Sequence, residues 1–137
     1  MVKYGFFKLI STMHRQLILL LSAISILAIA TVPAHAGDAD VLEAEITKTG
    51  DRTYTISVTV EHGDDGWDHY ADAWEVVGPD GKVIAKRILA HPHVNEQPFT
   101  RSKSGIKIPM GIDVVTIRAH DLEHGYGGAE IKLSVPE

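Results

Sequence analysis

The chain has 137 residues, no cysteine and a formal net charge of −5. Lacking cysteine, it has no disulfide, no thiolate nucleophile and no sulfur ligand, so stability has to come from a packed core, with or without a bound ion. All 18 acidic residues but only 10 of the 13 basic ones lie beyond residue 36. That region carries a formal charge of −8 and excludes nucleic acid and anionic lipid as partners, because both are bound by basic faces.

Lys3, Lys8 and Arg15 form a basic leader, and Leu17 to Val32 is an apolar run broken only by Ser22, Ser25 and Thr31. A spanning helix needs about 20 apolar residues, and this run of 16 is shorter. Ala34-His35-Ala36 then fits the small-x-small rule of signal peptidase, with cleavage before Gly37. The expectation is a signal peptide over residues 1–36 and a periplasmic domain over 37–137, with no membrane contact after cleavage. No cysteine follows the run to carry a lipid, and no arginine pair precedes it.

Beyond Gly37 the chain reads as short strands separated by turn signals, with no helical period. In the first strand Leu42, Ala44 and Ile46 alternate with Glu43 and Glu45, and Lys48 to Asp51 make a turn. In the second, Tyr54, Ile56, Val58 and Val60 face one way and Thr55, Ser57 and Thr59 the other, the period-2 pattern of a half-buried antiparallel strand. A third strand, about Ala71 to Val77, carries Trp74 as a core residue and turns at Gly78-Pro79-Asp80-Gly81 into a fourth, about Lys82 to Ala90. A fifth runs from about Phe99 to Ile108, a sixth has Val115, Ile117 and Ala119 inward, and a seventh alternates Ala129, Ile131, Leu133 and Val135 with Glu130, Lys132 and Ser134. Seven short strands in about 100 residues predict an all-β, seven-stranded immunoglobulin- or fibronectin-III-like sandwich, with a small closed barrel as the alternative.

In a sandwich whose strands alternate up and down, the loops alternate between two poles. The connections after strands one, three and five hold only turn residues. Those after strands two, four and six, Glu61–Tyr70, His91–Pro98 and His120–Gly128, hold His62, His69, His91, His93, His120 and His124. Asp64, Asp65, Asp68, Asp121 and Glu123 share that pole, as do Trp67, Tyr70 and Tyr126. Imidazoles suit Zn, Cu, Fe and Ni, with carboxylates filling further positions or orienting the rings. All six histidines are therefore candidate ligands for one metal ion, with iron or copper favoured over zinc. Asp64-Asp65-Gly66-Trp67-Asp68 lacks the full calcium-loop pattern, and no G-x-S-x-G context surrounds a serine. Ser102 and Ser104 read as surface strand residues, with Arg101 and Lys103 beside them on a solvated face.

Two segments resemble the superoxide reductases, the desulfoferrodoxin and neelaredoxin family. His62-Gly63-Asp64-Asp65-Gly66-Trp67-Asp68-His69-Tyr70, followed by Trp74, is similar to their H-x5-H-Y-x-x-W segment. His120-Asp121-Leu122-Glu123-His124-Gly125-Tyr126 is similar to their C-N-x-H-G-x-W segment. The resemblance implies an immunoglobulin-like domain holding a mononuclear iron on four histidines, with an axial cysteine. It points to His62, His69 and His124 as ligands and to His120 near the cysteine's place, with His91 or His93 completing the set. The axial cysteine itself is absent.

Three functions follow as expectations. The first is a periplasmic histidine-rich metal-binding protein, either a redox iron centre of the superoxide-reductase kind or a copper or zinc carrier. The second is a non-catalytic periplasmic interaction module, for example a partner subunit in a sulfur-oxidation or redox system, with Trp67, Tyr70 and Tyr126 as anchors. The third is a zinc hydrolase using Asp65, Asp68 or Glu123 as a general base.

Overall fold

The computed structural model describes residues 37–137, and the expected signal peptide lies outside the described residues. Seven strands form in the predicted order: β1 (Asp40–Gly50), β2 (Thr53–Glu61), β3 (Ala71–Val77), β4 (Val83–Ile88), β5 (Phe99–Lys107), β6 (Val114–Asp121) and β7 (Ile131–Ser134). They make two antiparallel sheets, β1-β2-β5 and β4-β3-β6-β7. The fourth strand pairs with the third instead of joining the first sheet, the three-on-four division of a fibronectin-III-like sandwich.

The alternation in β2 decides the core. Tyr54, Ile56, Val58 and Val60 are fully buried between the sheets, each contributing about 1.5–3 kcal/mol relative to exposure. Facing them from the second sheet are Trp74, Val76, Val115, Ile117 and Ala119, with Phe99 and Ile106 from β5 closing the layer. Trp74 is wholly enclosed and is a core residue, as its place in the third strand suggested.

Leu42 departs from the expected pattern. A bulge between Val41 and Glu43 shifts the register of β1 against β2, so Val41 enters the core while Leu42 faces solvent. An extra residue in one strand breaks strict alternation at that point, and composition alone does not mark where it falls. The seventh strand also begins later than its alternation suggested. Ala129 instead bridges the two sheets, its amide donating to Asp40 Oδ1 at 2.6 Å and its carbonyl accepting from Val41 N at 2.9 Å.

The strand registers bring one set of ends together. Asp40 pairs with Glu61, Val60 with Phe99, Ala71 with Asp121 and Ala73 with Ile88. The starts of β1, β3 and β5 thus meet the ends of β2, β4 and β6, which is the pole where the histidine-bearing loops emerge.

Candidate metal centre

Two inward-facing series, one from each sheet, run out at this pole and each ends in a polar group. On β2 the series Tyr54, Ile56, Val58, Val60 continues to His62, which is buried. On β6 the series Val115, Ile117, Ala119 continues to Asp121, also buried and with no exposed surface. The same alternation that builds the core therefore aims an imidazole and a carboxylate at each other across the mouth of the sandwich.

The loops bring two more imidazoles to them. Between β2 and β3 the chain folds back on itself, with Asp65 N donating to His69 O at 3.1 Å and His69 N to Gly66 O at 3.3 Å. Gly66 has φ +149°, a backbone conformation that side-chain-bearing residues rarely adopt. Between β6 and β7, Asp121 and Gly125 exchange both backbone hydrogen bonds at 3.1 Å, and Asp121 Oδ1 accepts the amides of Glu123 at 2.9 Å and His124 at 2.7 Å. This tight turn holds the His124 ring against the carboxylate. One donor atom each from His62, His69, Asp121 and His124 then lies within 4.8 Å of the others. The His62 and His69 rings are 4.8 Å apart between centroids, and those of His69 and His124 are 5.4 Å apart.

Two of the three rings are held by a carboxylate. His62 Nδ1 donates to Asp64 Oδ1 at 2.5 Å and His124 Nδ1 donates to Asp121 Oδ1 at 3.1 Å, which leaves Nε2 of each ring for the cleft. This carboxylate–imidazole relay is the arrangement that orients metal-bound histidines. Asp64 is itself a buried hub, accepting Ala71 N at 2.9 Å and His93 N at 2.7 Å as well.

Within this group two buried side-chain atoms, His69 Nε2 and Asp121 Oδ2, have no hydrogen-bond partner. Leaving such a group unmet costs about 1–3 kcal/mol. His69 Nε2 stands 3.7 Å from Asp121 Oδ1 and 3.4 Å from Glu123 Oε2. With metal–ligand bonds of about 2.0–2.2 Å, donor atoms sit roughly 3 Å apart when cis and about 3.4 Å apart in a tetrahedron. The donor set of three imidazoles and one carboxylate, with no sulfur, fits a divalent first-row ion.

The electrostatics favour a cation. A cleft of about 450 Å³ opens here, walled by Gly37, His62, His69 and His124 and rimmed by Asp38, Asp40, Glu61, Asp65 and Glu123. Burial pushes the Asp121 carboxyl up, but the amides of His124 and Glu123, the His124 ring and nearby His62 outweigh it and hold the group below the usual aspartate range. Burial pulls the His124 ring down, yet Asp121, Glu123 and Asp38 raise it overall.

The other three candidate histidines lie outside the group of close donor atoms. His120 is one residue out of phase with Asp121, so it sits on the outer face of the second sheet. There its Nδ1 pairs with Asp72 Oδ1 at 2.5 Å and its ring packs on Tyr126 at 4.7 Å. His93 is buried, stacked on Phe99 at 3.8 Å and 10°, with neither ring nitrogen hydrogen-bonded. His91 is exposed beside it. The sequence named Asp121 only as one of five carboxylates at this pole and not beside the six histidine ligands. Its signal was present all the same, as a carboxylate occupying the next inward position after Ala119.

No family model and no solved structure matches the chain. A protein of Halomicrobium mukohataei named "Putative lipoprotein" is 43% identical over 91 residues, which span 66% of this chain and 44% of that relative. The chain thus spans less than half the length of the curated relative it matches.

Proposed function

We propose that the protein binds one divalent first-row metal ion through His62, His69, Asp121 and His124, as an exported metal-binding protein. The observation that carries this reading is the convergence of four donor residues, two of which, His69 and Asp121, each keep a buried side-chain atom, Nε2 and Oδ2, without a hydrogen-bond partner. The stability order of divalent ions puts copper(II) first for such a site, and the absence of thiolate disfavours copper(I). The resemblance to superoxide reductases contributes His62, His69 and His124. In this chain a carboxylate stands with them where that family has further imidazoles, and the axial sulfur has no counterpart. Binding or delivery of the ion is therefore the function supported best, ahead of iron-based reduction.

The basic leader, the apolar run and the small-x-small site support export to the periplasm. The relative's name fits an extracytoplasmic place. An interaction role finds its own support in Trp67, in the loop between His62 and His69, which is 67% exposed and meets Tyr70 edge-on at 5.9 Å. Such a surface suits a protein that receives or hands over the ion.

The test is equilibrium dialysis of residues 37–137 against equal copper(II), zinc(II), iron(II) and nickel(II), with bound metal read by mass spectrometry. One equivalent is expected, led by copper and lost in His69→Gln. Retention of no ion, or full retention in that variant, contradicts the reading.

A further inference from the structure

Gly37 forms part of the cleft wall, yet the four-donor site does not explain what it does there. Its carbonyl oxygen lies 3.0 Å from His62 Nε2. The Nδ1 proton of that ring is committed to Asp64 at 2.5 Å, so in the neutral ring Nε2 presents a lone pair. Two lone-pair atoms at 3.0 Å call for a cation between them, either a proton or a metal ion. That spacing also matches the separation of two cis ligands on a first-row ion, roughly 3 Å for bonds of about 2.0–2.2 Å.

We propose that removal of the signal peptide makes Gly37 a ligand, its newly freed α-amino nitrogen and its carbonyl oxygen chelating the ion held by His62, His69, Asp121 and His124. The inference rests on the metal-site reading above. Within a precursor the nitrogen of Gly37 is a peptide N–H with no lone pair to give. After cleavage between Ala36 and Gly37 it is a primary amine, and with the carbonyl of the same residue it closes a five-membered chelate ring. Export processing would thus complete the site, leaving the precursor a weaker binder than the mature chain.

Two further observations support this placement. A Cβ on Gly37 would lie 2.7 Å from His124 Cε1 and 3.0 Å from His124 Nε2, so only glycine lets the backbone approach that ring so closely. Signal cleavage itself makes no demand for glycine on this side of the bond. The segment is also anchored, unlike most chain ends. Ala39 is buried in the core, Asp40 accepts Ala129 N, and Val41 N donates to Ala129 O. Gly37 therefore stands only two residues from a buried anchor, at a fixed place beside two imidazoles.

The test compares residues 37–137 bearing a free Gly37 amine with the same chain Nα-acetylated, which keeps the carbonyl but removes the amine's lone pair. Both chains carry all seven strands and the buried core among the described residues. The probe is copper(II), titrated against a competing chelator, with electron paramagnetic resonance of chains carrying 15N at Gly37 only. The free-amine chain is expected to bind at least tenfold more tightly, and the isotope is expected to change its nitrogen hyperfine pattern. One equivalent in both chains with equal affinity and no isotope effect overturns the chelate while leaving the four-residue site standing. Binding by neither chain overturns both. Intact mass of the exported protein supplies a separate check, and a mature start at any residue other than Gly37 overturns the proposal.

Discussion

Replacing Asp121 by asparagine separates ion binding from folding. In the folded chain Oδ1 accepts two backbone amides and the His124 ring, whereas Oδ2 has no partner. Asparagine keeps a carbonyl oxygen for the first set but gives up the charge that those donors favour, so the apo variant should be less stable than the wild type by about 1–2 kcal/mol. The consequence for the ion is larger. At a free-ion concentration about 100 times Kd, binding stabilises the native state by about 2.7 kcal/mol. That raises Tm by roughly 11–22 °C, at about 4–8 °C per kcal/mol for a domain of this size. Loss of the only charged donor weakens binding about a hundredfold, at about 1.4 kcal/mol per decade. At the same ion concentration the variant then gains only about 0.4 kcal/mol, roughly 2–3 °C. Differential scanning calorimetry with and without copper(II) reads both numbers. Equal ion-induced shifts in wild type and Asp121→Asn would refute the reasoning.

Further substitutions test the supporting structure. Asp64→Ala strands the buried amides of Ala71 and His93 and releases the His62 ring, so urea unfolding should show a loss of about 3 kcal/mol or more; a loss below about 1 kcal/mol contradicts the hub. Trp74→Ala empties the centre of the core and should destabilise by about 3–5 kcal/mol in the same assay. Gly37→Ala pushes on the His124 ring, so copper affinity by competition titration should fall while apo Tm stays close to wild type. His93 is held below the usual histidine range, chiefly by burial and then by Arg101 and His91. The unfolded chain therefore takes up this proton first, and stability falls as pH drops below about 6.5 toward the folded value. In His93→Phe the fall in urea midpoint between about pH 7.5 and 5.5 should be shallower, and an unchanged fall contradicts that account.

Much of this architecture is legible in the residues because alternation is a direct record of burial. β2 and β6 each show one clean inward face, and the parity of strand order puts the histidine-bearing loops at one pole. Asp121 and His62 were readable by extending those same faces by one position. Counting histidines hid this, since it gave His120 the weight that belonged to its neighbour. Leu42 was misplaced because a bulge changes phase without a compositional mark. The fates of His91 and His93 were not legible either. Whether a loop ring turns toward the cleft or stacks on Phe99 depends on tertiary packing that spacing does not encode. Gly37 looked like the residue after a cleavage site, and only its distance from His62 and His124 gives it a further meaning.

The most direct measurement is a crystal structure of the copper(II)-loaded chain beginning at Gly37, with data collected at the copper absorption edge. A single anomalous peak is expected in the cleft, within bonding distance of His62 Nε2, His69 Nε2, His124 Nε2 and the Asp121 carboxylate. A peak at His91 and His93, a peak at His120 on the outer face, or no ordered copper at all would contradict the account.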